Sequence, residues 1–204
     1  MDNITGWFSY KGTTAMQHKD VVSHFEKLIK ETKPSQILEI GTALGGLSLL
    51  LLDLLMEHGT PTSTLRTYDV HVRNLYWLDK AIEEGARGEI FVENVFNHNY
   101  TELEKVEKIR GYIQQPGCTI VLCDGGNKIK EFNILSEHLK PGDIIMAHDY
   151  APNIDYFREF NKDKIWNWCE IQDCDIEECS KVYNLEPFMQ DDFTQVVWVC
   201  KIKK

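Results

Sequence analysis

With 204 residues, 43% of them hydrophobic, the chain carries enough apolar material for one domain with a sizeable core. Its formal net charge of −10, with basic residues scattered apart from the Lys201–Lys204 tail, argues against nucleic acid as a partner, since phosphate binding needs clustered Lys and Arg. No apolar run reaches the roughly 18–20 residues of a membrane span, and Met1–Tyr10 has neither basic residues nor an apolar signal core, so the expected setting is cytoplasmic, without membrane contact.

Periodicity then predicts alternating helices and strands along the chain. Lys19–Glu31 sets Val21, Val22, Phe25, Leu28 and Ile29 on one helical face and ends before Pro34. Gln36–Ile40 reads as a short buried strand, and Gly45–Glu57 as a buried helix stopped by His58-Gly59 and Pro61. Leu65–Asp69 is a second strand, followed by a helix around Tyr76–Glu84 and a strand over Glu89–Val95. Tyr100–Ile113 reads as an amphipathic helix closed by Pro116-Gly117. Thr119–Cys123 is the fourth strand, Lys128–Leu139 its helix, and Asp143–His148 the fifth strand after the Pro141-Gly142 turn. Asn153–Asn161 is expected to be helical. Ile165–Ile171 and Thr194–Ile202 read as a closing pair of strands around an acidic excursion.

Such alternation implies parallel strands joined by right-handed crossovers, with helices on both faces: a Rossmann-like α/β sheet. Nothing splits the chain, so residues 1–204 form one expected domain, with 1–34 as an N-terminal helical cap segment and 172–193 as an acidic insertion before the last strand. Cys118, Cys123 and Cys200 fall in apolar runs, and Cys169, Cys174 and Cys179 match no close-paired zinc pattern. All six are read as free thiols.

Ligands of open parallel sheets sit beyond the carboxyl ends of the strands. The first exit reads Glu39-Ile-Gly-Thr-Ala-Leu-Gly-Gly46. Gly41 allows a tight turn, and Gly45 and Gly46 let the backbone come close to a ligand. Glu39, an acid in a buried strand, is a candidate partner for an ammonium group. On glycine spacing alone, a dinucleotide site or simple helix packing competes with this reading. Asp69 ends the second strand, where a carboxylate can bind both hydroxyls of a ribose; a solvated strand-end Asp is the plainer alternative. The Gly-x-x-x-Gly-Gly turn departs from the Gly-x-Gly-x-x-Gly of NAD proteins.

The fourth strand ends Val121-Leu-Cys-Asp124-Gly-Gly-Asn127-Lys128, and the fifth Ile144-Ile-Met-Ala-His148-Asp149-Tyr150. If these strands are neighbours, Asp124, His148 and Asp149 converge as a site for a divalent cation. Oxygen donors favour Mg²⁺, and the imidazole makes Mn²⁺ or Fe²⁺ plausible. The alternative is that Asp124 caps the next helix while His148 and Asp149 form an ordinary turn.

Taken together, Glu39–Gly46, Asp69, Asp124 and His148-Asp149 resemble the metal-dependent class I S-adenosylmethionine-dependent O-methyltransferases. The resemblance is to the branch of macrolide-sugar O-methyltransferases and proteins named cephalosporin hydroxylases, and more distantly to catechol O-methyltransferase. Gly12–Gln17 is similar to a Gly…Gln stretch ahead of the cofactor domain in that branch, and Val196-Val-Trp-Val-Cys200 to its last strand. The resemblance implies a seven-stranded sheet with its last strand antiparallel. It implies S-adenosylmethionine at a set comprising Gln17, Glu39, Gly41, Thr42, Gly45, Gly46, Asp69, Glu93 and Asn94, and a metal at Asp124, His148 and Asp149.

Two departures stand out. Relatives usually carry an acid where His148 stands, and a basic residue where this chain has Asn127. The catalytic pair is therefore read as Asp124 with Lys128, the lysine serving as base if burial and a nearby cation lower its pKa; His71 is a second candidate. The expected reaction is metal-assisted O-methylation of a small hydroxylated acceptor, a sugar or other vicinal diol, by a chain that could form a homodimer. A non-catalytic nucleotide-binding protein and an NAD-dependent oxidoreductase are the rivals. Trp7–Gln17 and Cys174–Asp192 are the expected covers of the pocket, with surface packing or a dimer contact as the alternative.

Overall fold

The computed structural model describes residues 6–71, 75–97, 99 and 104–204. The chain enters through a hairpin, β1 (Phe8–Tyr10) and β2 (Thr13–Ala15), then the amphipathic helix α1 (Val21–Thr32). The N-terminal segment expected to be helical thus begins as a hairpin, and its residues 1–5 lie outside the described residues. Two three-residue strands with polar faces leave too short a pattern to register as alternation.

The central sheet alternates strands and helices: β3 (Gln36–Ile40), α2 (Gly46–His58), β4 (Thr64–Asp69), α3 (Tyr76–Glu83) and β5 (Gly88–Val92). It continues through α4 (Val106–Ile113), β6 (Thr119–Cys123), α5 (Lys128–Ser136) and β7 (Ile144–Ala147). Positions 100–103 of the amphipathic helix expected over Tyr100–Ile113 lie outside the described residues. After β7 come one α-turn, α6 (Ile154–Tyr156), and a π-helical turn over Phe157–Asn161. The chain closes through α7 (Asp173–Val182), β8 (Leu185–Pro187), α8 (Gln190–Thr194) and β9 (Val199–Lys203).

The seven strands lie in the order β5-β4-β3-β6-β7-β9-β8. Neighbours from β5 to β7 run parallel, and β9 is antiparallel to both β7 and β8. Side chains of β6 show the layering: Ile120 and Leu122 enter the core under α1 and α2, while Val121 and Cys123 enter the core under α4, α5 and α7. Helix α2 buries Leu47, Leu49–Leu52, Leu54 and Leu55, so its apolar stretch, broken by Ser48 and Asp53, is that of a core helix; no helix among the described residues is long and apolar enough to cross a membrane. Truncating Leu50, 1% exposed, to Ala would cost about 2–5 kcal/mol.

One expected strand lies elsewhere in the chain. Residues 165–171 form no strand; apart from an isolated bridge between Ile171 and Tyr150, their backbone bonds go to the Asn161 and Asp149 carbonyls. The missing strand is β8, inside the expected acidic insertion, where three residues ending in Pro187 suffice at a sheet edge.

Candidate active site

The order reversal between β3 and β6 opens the sheet at its carboxyl end, where ligands of such sheets bind. The backbones pack closely there. Gly41 has φ +101°, and a Cβ on it would stand 2.2 Å from the Asp124 carbonyl oxygen. The first turn and the Asp124 loop therefore meet only because residue 41 is glycine. Gly46 answers to a different neighbour: a Cβ there would stand 2.4 Å from the backbone of Thr14 and Ala15, so its smallness seats the hairpin on α2.

Two clefts open at this edge and share Ala43 and Asp124. The first, about 250 Å³, is lined by Gly41, Asp69, His71, Glu93, Asn94, Asp124 and Glu131 among others. Asp69 accepts the Ala43 N–H at 2.8 Å through one oxygen and the His71 N–H at 2.9 Å through the other. Each oxygen keeps further acceptor capacity toward the cleft. Glu93 pairs with Lys108, and Asn94 accepts the Phe96 N–H at 3.1 Å.

Gln17, Glu39, Thr42, Gly45 and Gly46 are not among the residues lining either cleft. Thr42 and Thr67 share a buried hydroxyl–hydroxyl contact of 2.6 Å. Glu39 is fully buried, accepts from the Ser48 hydroxyl of α2, and leaves its Oε1 without a hydrogen-bond partner among the described residues. Burial, opposed by the hydroxyls of Ser48 and Thr67, pushes its carboxyl up to about 7.

The second cleft, about 220 Å³, is walled by Trp7, Met16, Trp166 and Trp168 and floored by Asp124, Lys128, His148, Asp149 and Glu170. The ligand atoms of Asp124, His148 and Asp149 lie within 4.8 Å of one another. Register explains part of this: β6 and β7 are parallel neighbours, with Cys123 opposite Ala147, so Asp124 and His148 exit side by side. Asp149 supplies the rest. Its φ of +57° turns the chain in the left-handed region, so two successive side chains that a strand would send to opposite faces both reach the cleft. His148 Nδ1 sits 3.1 Å from Asp124 and 3.5 Å from Asp149. Its ring is held between Trp166 and Trp198, with centroids 5.0 and 4.9 Å away, and its buried Nε2 has no hydrogen-bond partner among the described residues. Burial pulls the imidazole pKa down, but the Asp124 and Asp149 carboxylates outweigh it and hold it above its ordinary value.

Gln17 anchors this floor from outside the sheet: it donates to Asp124 at 2.7 Å and accepts from the Trp198 indole at 2.9 Å. Trp166 donates to Asp149 at 2.5 Å. Asn127 caps α5 by accepting the Lys130 N–H at 3.1 Å. Asp124 is thereby free of the capping duty that was its plainer reading.

Lys128 opens α5 and points into the acidic floor, 3.0 Å from Asp149, 3.0 Å from Glu170 and 3.9 Å from Asp124. Burial alone would lower its pKa, but the carboxylates of Asp124, Asp149 and Glu170 outweigh burial and hold it above the ordinary lysine range. The lowered pKa expected of a base is therefore reversed here. His71 lines the first cleft and not the second.

Sequence reasoning missed Glu131, Trp166, Trp168 and Glu170. Glu131 is fully buried and accepts the N–H groups of Gly125 and Asn127, both at 3.0 Å, which fixes the loop carrying Asp124. Its signal was an acid four residues after the capping Asn127. The other three were hidden by the aromatic and β-branched content of residues 165–171, which imitates a strand. The excursion expected to cover the pocket builds α7, β8 and α8 instead, and lines a separate groove. The cover residues present in the second cleft are Trp7 and Met16 of the N-terminal segment.

The sheet order, with β9 antiparallel between β7 and β8, is that of the class I S-adenosylmethionine-dependent methyltransferase fold. No protein-family profile matches the chain. It is 22% identical over 148 residues, 69% of its length, to the rhamnosyl O-methyltransferases of Mycobacterium tuberculosis and Mycobacterium bovis, and spans 56% of the length of these curated relatives. Among solved structures it is similar to the CmcI-N160 apo form, with a TM-score of 0.66 and 16% identity over 96% of this chain and 76% of that one. The CmcI-D160 form with Mg and S-adenosylmethionine gives a TM-score of 0.60 and 14% identity at the same coverage. An O-methyltransferase family protein from Burkholderia thailandensis gives 0.51 and 10%, covering 90% of this chain and 55% of that one. At these identities the likeness is one of fold.

Proposed function

We propose that the chain is an S-adenosylmethionine-dependent O-methyltransferase acting, with a divalent cation, on a hydroxyl of a small ring-bearing acceptor. The observation that carries this reading is the pair of clefts meeting at Ala43 and Asp124, one ending on Asp69 and the other on Asp124, His148 and Asp149. A nucleoside held by Asp69 in the first cleft would present its sulfonium methyl toward the second. Much of the rate then comes from alignment of acceptor oxygen, methyl carbon and sulfur.

The donor set fits a metal by its charge and its atoms. Three carboxylates (Asp124, Asp149, Glu170) face one ammonium, which leaves two negative charges, the complement of a divalent ion beside a neutral His148. Oxygen ligands with one imidazole suit Mg²⁺ or Mn²⁺. The unpartnered Nε2 departs from the usual metal-bound histidine, whose second nitrogen is hydrogen-bonded; here the two indole rings orient it instead. Asp124, His148 and Asp149 would hold such an ion, and it would supply Lewis acidity that makes an acceptor hydroxyl easier to deprotonate.

This chain's own residues do the rest. Trp7, Trp166 and Trp168 offer aromatic faces to the apolar face of a sugar or similar ring and exclude water from it. Lys128, as an ammonium, offsets part of the floor's negative charge and donates to an acceptor oxygen. Glu170, 46% exposed and outside the candidate ligand trio, is the carboxylate we assign to take the acceptor's proton. The resemblance to rhamnosyl O-methyltransferases supports a sugar acceptor.

Calorimetric titration with S-adenosylmethionine, S-adenosylhomocysteine and NAD, with and without Mg²⁺ or Mn²⁺, tests the cofactor. Binding of the sulfur pair and not NAD is expected, weakened about 100-fold by Asp69→Ala through two lost hydrogen bonds to a charged group. No binding of the sulfur pair would overturn the reading.

A further inference from the structure

The deepest feature of the acidic floor is that it already holds a cation. The Lys128 ammonium is surrounded by oxygens from three separate segments. Asp149 and Glu170 each lie 3.0 Å away, the Gly125 carbonyl 3.1 Å and Asp124 3.9 Å. Its side chain is 7% exposed, so water screens little of this charge. Two of the oxygens belong to Asp124 and Asp149, which are also two of the three groups able to hold a metal. The same carboxylates cannot fully serve an ammonium and a divalent ion, because like charges at such spacing repel in a buried site.

We propose that Lys128 is a tethered counter-ion that competes with the divalent metal, so that metal entry and withdrawal of the Lys128 ammonium from Asp149 are one event. This rests on the metal reading above and goes beyond it. The geometry supplies the withdrawn position. Glu170 lies outside the ligand trio, on the irregular segment before Ile171, and its side chain is 46% exposed. With four flexible methylenes, Lys128 can give up Asp149 while keeping Glu170 and the Gly125 carbonyl. Competition of this kind offsets part of the floor's negative charge without metal and makes metal binding weak and exchangeable. It also explains why a lysine stands one position after the residue that caps α5: from the first helical position its stem reaches the Asp124 loop and the Asp149 turn together. Lys128 is in this respect a positioning residue.

The test is Mn²⁺ titration of metal-stripped full-length protein, by calorimetry and by the electron paramagnetic resonance signal of free Mn²⁺, for wild type, Lys128→Met and Lys128→Arg. Lys128→Met should bind Mn²⁺ at least about tenfold more tightly, a change of about 1.4 kcal/mol. Its melting temperature without metal should fall below wild type and recover with Mn²⁺. Lys128→Arg, which keeps the charge, should bind no more tightly than wild type. Unchanged or weaker binding by Lys128→Met, or equal tightening by Lys128→Arg, would overturn the proposal.

Should Lys128→Met not fold, wild type answers through amine acylation read by mass spectrometry. Lys128 labelling should rise several-fold when Mn²⁺ saturates, against constant labelling of the exposed Lys181, and constant Lys128 labelling would reject competition. Titration with S-adenosylhomocysteine separates the failures. Cofactor binding with Lys128-independent Mn²⁺ affinity removes this inference alone. Cofactor binding with no Mn²⁺ binding in any form removes the metal centre and this inference together. Absence of cofactor binding removes the functional reading itself.

Discussion

At the scale of single residues, the site depends on side chains placed where their chemistry is unfavourable in isolation. Glu39 is a carboxyl in an apolar sheet, one oxygen on Ser48 and the other unpartnered among the described residues, and burial raises its pKa to about 7. An unfolded glutamate titrates near 4.3. Since the folded value is the higher, the protonated form contributes its stability in full below the unfolded pKa, and that contribution is lost as pH rises through about 7. Glu39→Gln replaces the protonated acid with a neutral amide. Between pH 5 and 8 the wild type should therefore lose about 2–3 kcal/mol more stability than the variant. Urea unfolding at both pH values measures this, and parallel profiles would refute it. Glu131, also pushed up to about 7 by burial, is present in both proteins and leaves the difference intact. Gln17 shows the reverse economy: one amide satisfies both Asp124 and the buried Trp198 indole. Gln17→Ala should cost about 1–3 kcal/mol in the same unfolding assay, the penalty for a buried donor left without its acceptor.

At the scale of elements, the informative parts are those without regular structure. The turn after β7 carries His148 and Asp149, and residues 165–171 return to it through Asp149, whose carbonyl receives the Glu170 and Ile171 N–H groups at 2.8 and 3.3 Å. That return places Trp166 against His148 and sets Trp168 beside Trp166 with ring centroids 5.4 Å apart. The segment is thus a wall of the second cleft and takes no part in the first. Trp168→Ala should raise the acceptor KM about tenfold, equivalent to 1.4 kcal/mol, while leaving S-adenosylhomocysteine affinity unchanged. Steady-state kinetics on a sugar acceptor, paired with cofactor titration, make the comparison; an equal loss of cofactor affinity would place the residue in the wrong cleft.

At the scale of the whole molecule, two apolar cores on opposite faces of one sheet carry the fold, and the two clefts lie at its carboxyl edge. Because the first cleft is built from the exits of β3 to β6, a cofactor bound there links strands that otherwise meet only through the sheet. A ligand that binds only the folded state, at about 100 times its Kd, adds about 2.7 kcal/mol, or about 5–10 °C in melting temperature for a chain of this size. Differential scanning calorimetry should show that rise with S-adenosylhomocysteine and none with NAD. A rise with NAD alone would favour an oxidoreductase.

Local pattern was enough for the central sheet. The runs at Gln36–Ile40 and Thr119–Cys123 are short, mostly apolar and bounded by turn residues, as buried parallel strands of an α/β chain are, and glycines and acids at their ends marked the ligand edge. The pairing of Asp124 with His148-Asp149 was also legible, because parallel neighbours in register bring their exits together. Tertiary structure alone decided the rest. A three-residue strand such as β8 owes its conformation to the β9 edge it pairs with, and a run rich in strand-forming residues such as 165–171 becomes a strand only where a sheet edge is free to receive it. The charge of Lys128 was settled the same way: burial and neighbouring carboxylates shift a pKa in opposite directions, and which one wins depends on distances that three separate segments of the chain set together.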